Sequence, residues 1–92
     1  MARLDFGSQE LISQSIESGG PDALFQLGLM YSSGRDVELD MIAAHKWFNL
    51  AALRGNADAR VLRQEISREM SRSDISKAQR QARKWLSKYK AH

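Results

Sequence analysis

The stretch LFQLGLMYSSG, residues 24 to 34, combines a helical pattern of apolar residues with a glycine in its middle. Leu24, Leu27 and Tyr31 stand at positions i, i+3 and i+7, which form one stripe of an amphipathic helix. Gly28 lies in the same stripe, although a glycine inside a helix costs about 1 kcal/mol relative to alanine. The pattern therefore predicts a helix whose backbone is approached closely by another element at Gly28.

Residues that start and stop helices predict five helices along the 92-residue chain. Pro21 suits the first turn of the helix that contains Gly28, and Gly34 ends it. Asp40 stands where an acidic side chain favours the N-terminus of the next helix, IAAHKWFNLAAL. The third helix is ADARVLRQEISREM, and Ser71 or Ser73 is expected to cap the last one. A leading helix is expected at residues 8–18, and no stretch alternates as a strand would.

Two pairs of similar segments indicate an internal duplication. GGPDA at 19–23 matches GNADA at 55–59 with an offset of 36, and AHKWF at 44–48 matches ARKWL at 82–86 with an offset of 38. Two matches in the same order at nearly equal offsets are typical of a repeated structural unit. We therefore predict a duplicated helical hairpin, in which Leu62, Ile66 and Met70 pack toward a last-helix face made by Ile75, Ala78, Ala82 and Trp85.

The first copy resembles the Sel-one-like repeat, a relative of the tetratricopeptide repeat. The residues that carry the resemblance are Ala23, Leu27, Gly28, Tyr31, Gly34, Val37, Asp40, Ala44, Trp47, Ala51, Ala52 and Gly55. The match is strong over residues 21 to 56 and faint over 57 to 90, where Arg63 and Gln64 replace the leucine and glycine of the pattern. Asp36 replaces a second glycine of the family, and because aspartate tolerates positive φ we expect the turn to be kept.

The resemblance implies an all-α fold of antiparallel helical hairpins, stacked as a short tetratricopeptide-like solenoid. We expect one domain over residues 1–92, with the leading helix at 8–18, a well-matched repeat at 21–55 and a degenerate basic capping hairpin at 56–90. In such a hairpin, Ala44, Ala51 and Ala52 allow the second helix to approach the first, and Gly28 is expected to leave room for Trp47. As in the family, Trp47 and Tyr31 are then core residues.

Composition and residue spacing argue against catalysis. The chain has no cysteine, which excludes disulfides, thiolate nucleophiles and cysteine-based metal sites. Its two histidines, His45 and His92, lack a serine or carboxylate at a spacing typical of a triad or metal pair, and no glycine loop suits a phosphate. We therefore expect no enzyme activity, no cofactor and no metal. The absence of an apolar run of signal-peptide or membrane-span length favours a soluble, cytoplasmic protein.

Charge is distributed unevenly along the chain. The net charge is +3, but residues 1 to 53 carry three basic and seven acidic side chains, whereas residues 54 to 92 carry eleven basic and four acidic. The last helix has a basic face formed by Lys77, Arg80, Arg83, Lys84 and Lys88. Such a face is compatible with binding nucleic acid or another anionic surface, and also with a helix that is merely solvated.

The resemblance favours a non-catalytic module that binds another protein on the repeat surface, as helical arrays do. Phe25 and Leu29 lie on the stripe beside the core stripe, and the offset of 36 places Val61, Glu65 and Arg68 beside them. These five residues predict a mixed strip that suits an extended or helical peptide. The basic C-terminal half favours an acidic partner, and self-association with a second copy of the chain is a further expectation. The alternative is that Phe25 and Leu29 pack on Leu11 and Ile12 of the leading helix.

Overall fold

The computed structural model describes residues 20–89, which form four α-helices joined by short turns. The leading helix expected at residues 8–18 lies outside the described residues. Within residues 20–89 no strand is present. The helices are α1 (Pro21–Ser33), α2 (Met41–Leu53), α3 (Ala57–Ser67) and α4 (Arg72–Tyr89). The all-α prediction is confirmed, whereas α3 ends at Ser67, three residues before the end of the predicted segment ADARVLRQEISREM.

Local side-chain chemistry explains where the helices begin. Pro21 occupies the first turn of α1, where its missing N–H is no loss. Each of the other three helices is preceded by a side chain that accepts a hydrogen bond from the backbone N–H three residues later, at 2.9 to 3.1 Å. These capping residues are Asp40, Asn56 and Ser71. Each cap accepts a hydrogen bond from a backbone N–H that the helix itself leaves unpaired, and each stabilises its helix by about 1 kcal/mol.

The turn between α1 and α2 keeps its shape without the second family glycine. Gly34 ends α1 with φ of 71°, and Asp36 adopts φ of 66°. The backbone N–H of Asp40 then donates to the carbonyl of Tyr31 at 3.0 Å, which closes the turn. Asp36 therefore takes the left-handed conformation as expected, at the steric cost that a glycine would avoid.

Helix α2 is central, because α1, α3 and α4 all pack against it and make little contact with one another. Its sequence, MIAAHKWFNLAAL, is apolar on most of its circumference, as expected for a helix covered from several sides. This arrangement differs from the predicted second hairpin. The main contacts of α4 are with α2, whereas Leu62 and Ile66 of α3 pack against the same shared core.

The core is small and rich in alanine. Its fully covered residues come from all four helices: Leu24, Ala44, Phe48, Leu50, Ala51, Ala59 and Ala82. Alanine side chains allow helix backbones to approach closely, so a modest number of large side chains fills the space between them. Phe25, Leu29, Trp47 and Trp85 lie at the edge of this cluster and are partly buried.

The residue that occupies the space over Gly28 is Phe48, and the prediction of Trp47 is wrong. A Cβ atom placed on Gly28 would lie 2.9 Å from Cγ of Phe48 and closer still to Cδ1 and Cε1. Trp47 points to a different side of α2, where its ring meets Trp85. Consecutive helical residues are about 100° apart, so only one of the two aromatic rings can face α1. The close approach predicted at Gly28 is therefore present with a different partner.

Candidate partner-binding surfaces

The five residues predicted as a partner strip fall into two structural groups. Phe25 and Leu29 of α1 are partly buried against the core, and the Phe25 ring lies 5.8 Å from that of Phe48. Val61, Glu65 and Arg68 are exposed, on α3 and at its C-terminal cap. Helices α1 and α3 both pack on α2 and make little contact with each other. Leu11 and Ile12, the alternative neighbours of Phe25 and Leu29, lie outside the described residues.

Two side-chain hydrogen bonds join α2 to α3. His45 Nε2 lies 3.0 Å from Ser67 Oγ, and Arg63 donates to the side-chain carbonyl of Asn49 at 2.6 Å. Ser67 Oγ also donates to the carbonyl of Arg63 at 2.7 Å. Since a hydroxyl has one proton, Ser67 must accept from His45, and the imidazole carries its proton on Nε2.

This histidine–serine pair has the distance of a catalytic base and nucleophile but the wrong hydrogen bonds. The Ser67 proton is held by a backbone carbonyl, so His45 is not placed to remove it. Within residues 20–89, His45 Nδ1 is buried with no hydrogen-bond partner, so no described side chain orients the ring as a triad carboxylate would. Burial lowers the pKa of His45 below 6.5, and the positive charge of Arg63 lowers that pKa further. The pair is therefore a structural link that favours neutral His45.

Helix α4 carries half of the basic side chains of the described residues. Arg72–Tyr89 contains six basic side chains and one acidic side chain. The five predicted basic-face residues are all exposed: Lys77, Arg80, Arg83, Lys84 and Lys88. Lys77, Arg80 and Lys84 line one open depression, and Lys84 with Lys88 lines a second. The structure therefore brings the predicted basic face together along a single helix.

The second depression lies between α2 and α4, and we call it the α2–α4 groove. It is shallow, with a volume of about 260 Å³, and the described residues that line it are Lys46, Gln81, Lys84, Trp85 and Lys88. At this contact the rings of Trp47 and Trp85 pack edge to face with centroids 6.1 Å apart. The groove thus combines three amines with one ring of an aromatic pair.

Each tryptophan in this pair also contacts a cation. The Lys46 amine lies 4.1 Å from the centroid of the Trp47 ring, and the Arg54 guanidinium lies 5.7 Å from that of Trp85. Such cation–π contacts are worth about 0.5–1 kcal/mol at exposed sites. Burial lowers the pKa of Lys46, and the Asp40 carboxylate partly opposes this effect. Lys46 is therefore held over an aromatic ring at the side of the groove.

The basic face was predicted from the sequence, but the two side-chain hydrogen bonds between α2 and α3 were not. His45 and Ser67 are 22 positions apart, and no motif connects them. A signal for the aromatic pair was present, because Trp47 and Trp85 are equivalent positions of the two copies at an offset of 38. Equivalent helices of stacked repeats lie next to each other, so equivalent side chains are candidates for contact.

The described residues offer neither a metal-binding cluster nor a membrane-spanning helix. Between residues 20 and 89, no three His, Cys, Asp or Glu side chains are grouped so that they could hold a metal ion. None of the four described helices combines the length and apolar character needed to span a bilayer.

Comparison with protein families identifies the repeat. The Sel1 repeat model matches residues 21–56 and 69–88, together more than half of the chain. The first match contains α1 and α2, the second runs from the turn before α4 to Lys88 within α4, and α3 lies outside both matches. Comparisons with curated proteins and with solved structures gave no match. The hairpin of α1 and α2, its glycine contact and the family match place the chain in the Sel1 repeat family, whose members are generally non-catalytic protein-interaction repeats.

Proposed function

We propose that this protein is a non-catalytic interaction module that binds a segment of another protein on the surface formed by α1 and α3. The family supplies the class of function, since Sel1 repeats generally mediate protein–protein contacts. The observation that supports this location is Val61, a β-branched hydrophobic residue that is 53% exposed in the middle of α3. With Glu65 and Arg68 at i+4 and i+7, it forms one helical face that offers an apolar and two charged contacts.

Phe25 and Leu29 form the α1 part of the proposed surface. Both are partly buried against the core, so each side chain both holds α1 in place and leaves some area for a partner. A peptide on this surface would meet aliphatic and aromatic side chains on one helix and charges on the other. Interfaces with an apolar centre and a charged rim are typical of protein–protein recognition. A second copy of the chain is one partner of this kind.

The test is affinity capture from the native organism, with crosslinking and mass spectrometry, followed by titration of the purified partner. Val61→Ser should weaken binding about tenfold or more, because an exposed apolar contact is removed. Leu53→Ser is the matched control, since Leu53 is also an exposed aliphatic residue, at 62%, but lies at the end of α2. Both variants should keep the wild-type melting temperature, because neither side chain is in the core.

Sedimentation velocity over a range of protein concentrations tests whether the partner is a second copy.

Equal affinities for the wild type, Val61→Ser and Leu53→Ser would show that α3 does not contact the partner. Turnover of a substrate by the purified chain would contradict the non-catalytic assignment.

A further inference from the structure

The α2–α4 groove is a second surface, distinct from the Val61 face of α3. We propose that it binds an acidic peptide segment, with carboxylates on Lys84 and Lys88 and an aliphatic side chain against Trp85. The groove residues come from two helices that pack directly on each other, so their relative positions are set by the fold. None of the described residues that line this groove belongs to α3.

Electrostatics favour an anionic occupant. Helix α4 carries six basic side chains against one acidic one, and Lys46 of α2 adds a further amine at the groove. Like charges held at this density repel each other, and a bound row of carboxylates relieves the repulsion. Lys46 is partly buried and lies over Trp47, so less side-chain entropy is lost when it meets a ligand.

The aromatic residues at the groove favour a peptide over a nucleic acid as its ligand. Proteins that bind single strands stack bases on aromatic faces. Here Trp47 and Trp85 pack against each other, and each ring also has a cation near its centroid. These contacts leave the pair unsuited to receive a stack of bases, whereas the partly buried Trp85, which lines the groove, offers an apolar contact to one aliphatic side chain. An acidic peptide that contains leucine matches both features.

The probe is a glutamate-rich synthetic peptide that contains leucine and no aromatic residue. Trp47 and Trp85 are the only tryptophans of the chain, so intrinsic fluorescence of the full-length protein reports directly on this contact. We expect saturable binding that changes the emission and weakens as salt is added, because the contacts are exposed charge pairs. A peptide with glutamine in place of glutamate should not bind.

The test variant is Lys84→Gln with Lys88→Gln, and the matched control is Arg60→Gln with Arg72→Gln. Both variants remove two positive charges from exposed positions, but Arg60 and Arg72 lie outside the groove. The groove variant should bind the peptide about fivefold to tenfold more weakly, as expected for two exposed ion pairs. The control should bind within about twofold of the wild type.

Three results would overturn the proposal. Equal weakening by the two variants would show that only net charge matters. Saturation without a change in tryptophan emission would place the peptide elsewhere. Tighter binding of a random single-stranded oligonucleotide than of the peptide, lost in the groove variant, would assign the groove to nucleic acid. Loss of partner binding in Val61→Ser with normal peptide binding separates this groove from the α3 surface.

Discussion

Gly28 is the residue that lets α1 and α2 pack with an aromatic ring against a helix backbone. The Phe48 ring is almost fully buried, with 1% of its surface exposed, and lies where the Cβ of any other residue would be. Alanine at this position would stabilise α1 by about 1 kcal/mol through its higher helix propensity if no side chain lay over residue 28. The contact with Phe48 opposes this gain, because a buried ring has no free space into which to move.

We therefore expect Gly28→Ala to lower the free energy of unfolding by about 1 kcal/mol, and Gly28→Leu by about 3 kcal/mol or more. Chemical denaturation of the full-length protein measures both. The double variant Gly28→Ala with Phe48→Leu is the control, since a smaller side chain opposite Gly28 should make the alanine less harmful. Gly28→Leu with wild-type stability would contradict the close contact.

At the scale of the helices, a polar link that includes His45 joins α2 and α3 beside their shared apolar core. The imidazole donates to Ser67 and is close to the positive charge of Arg63, and burial also disfavours its charged form. Because the pKa of His45 is lowered in the folded state, the unfolded chain binds a proton that the folded chain does not. The contribution of neutral His45 to the stability of the folded state is therefore present above about pH 6.5 and is lost as the pH falls below that value.

Thermal unfolding at about pH 7.5 and about pH 5.5 should show this loss. In His45→Gln the amide N–H can still donate to Ser67, but no proton is taken up in this range, so the melting temperature should change less between the two pH values. His92 is present in both proteins, so its contribution cancels in the comparison. Identical pH dependence in the wild type and in His45→Gln would show that His45 does not couple folding to pH.

At the scale of the whole molecule, α4 closes the side of α2 that carries Trp47. Ala82 is buried in the shared core, and Trp85 covers Trp47, while the opposite face of α4 is basic and exposed. Helix α4 therefore contributes both to the core and to the charged surface.

A chain that ends at Arg68 lacks α4, and we expect it to lose cooperative unfolding and to bind hydrophobic dyes. The reason is that Trp47 and its core neighbours would lose the helix that covers them. Full-length Trp85→Ala should be destabilised by about 3 kcal/mol, less than the truncation. A sharp thermal transition and a well-dispersed NMR spectrum from the truncated chain would show that α4 is not needed for the core.

The helices, their caps and the repeat were determined by the sequence itself, because these features depend on neighbouring residues. Asp40 and Ser71 as caps, and Asp36 in a left-handed turn, follow from local hydrogen bonding and sterics. Only the tertiary structure decided that Phe48 rather than Trp47 faces Gly28, and that α4 packs mainly on α2. Those choices depend on how each helix is rotated and which neighbour it covers. An apolar helix such as α2, with large side chains on several sides, does not specify its rotation by its own pattern.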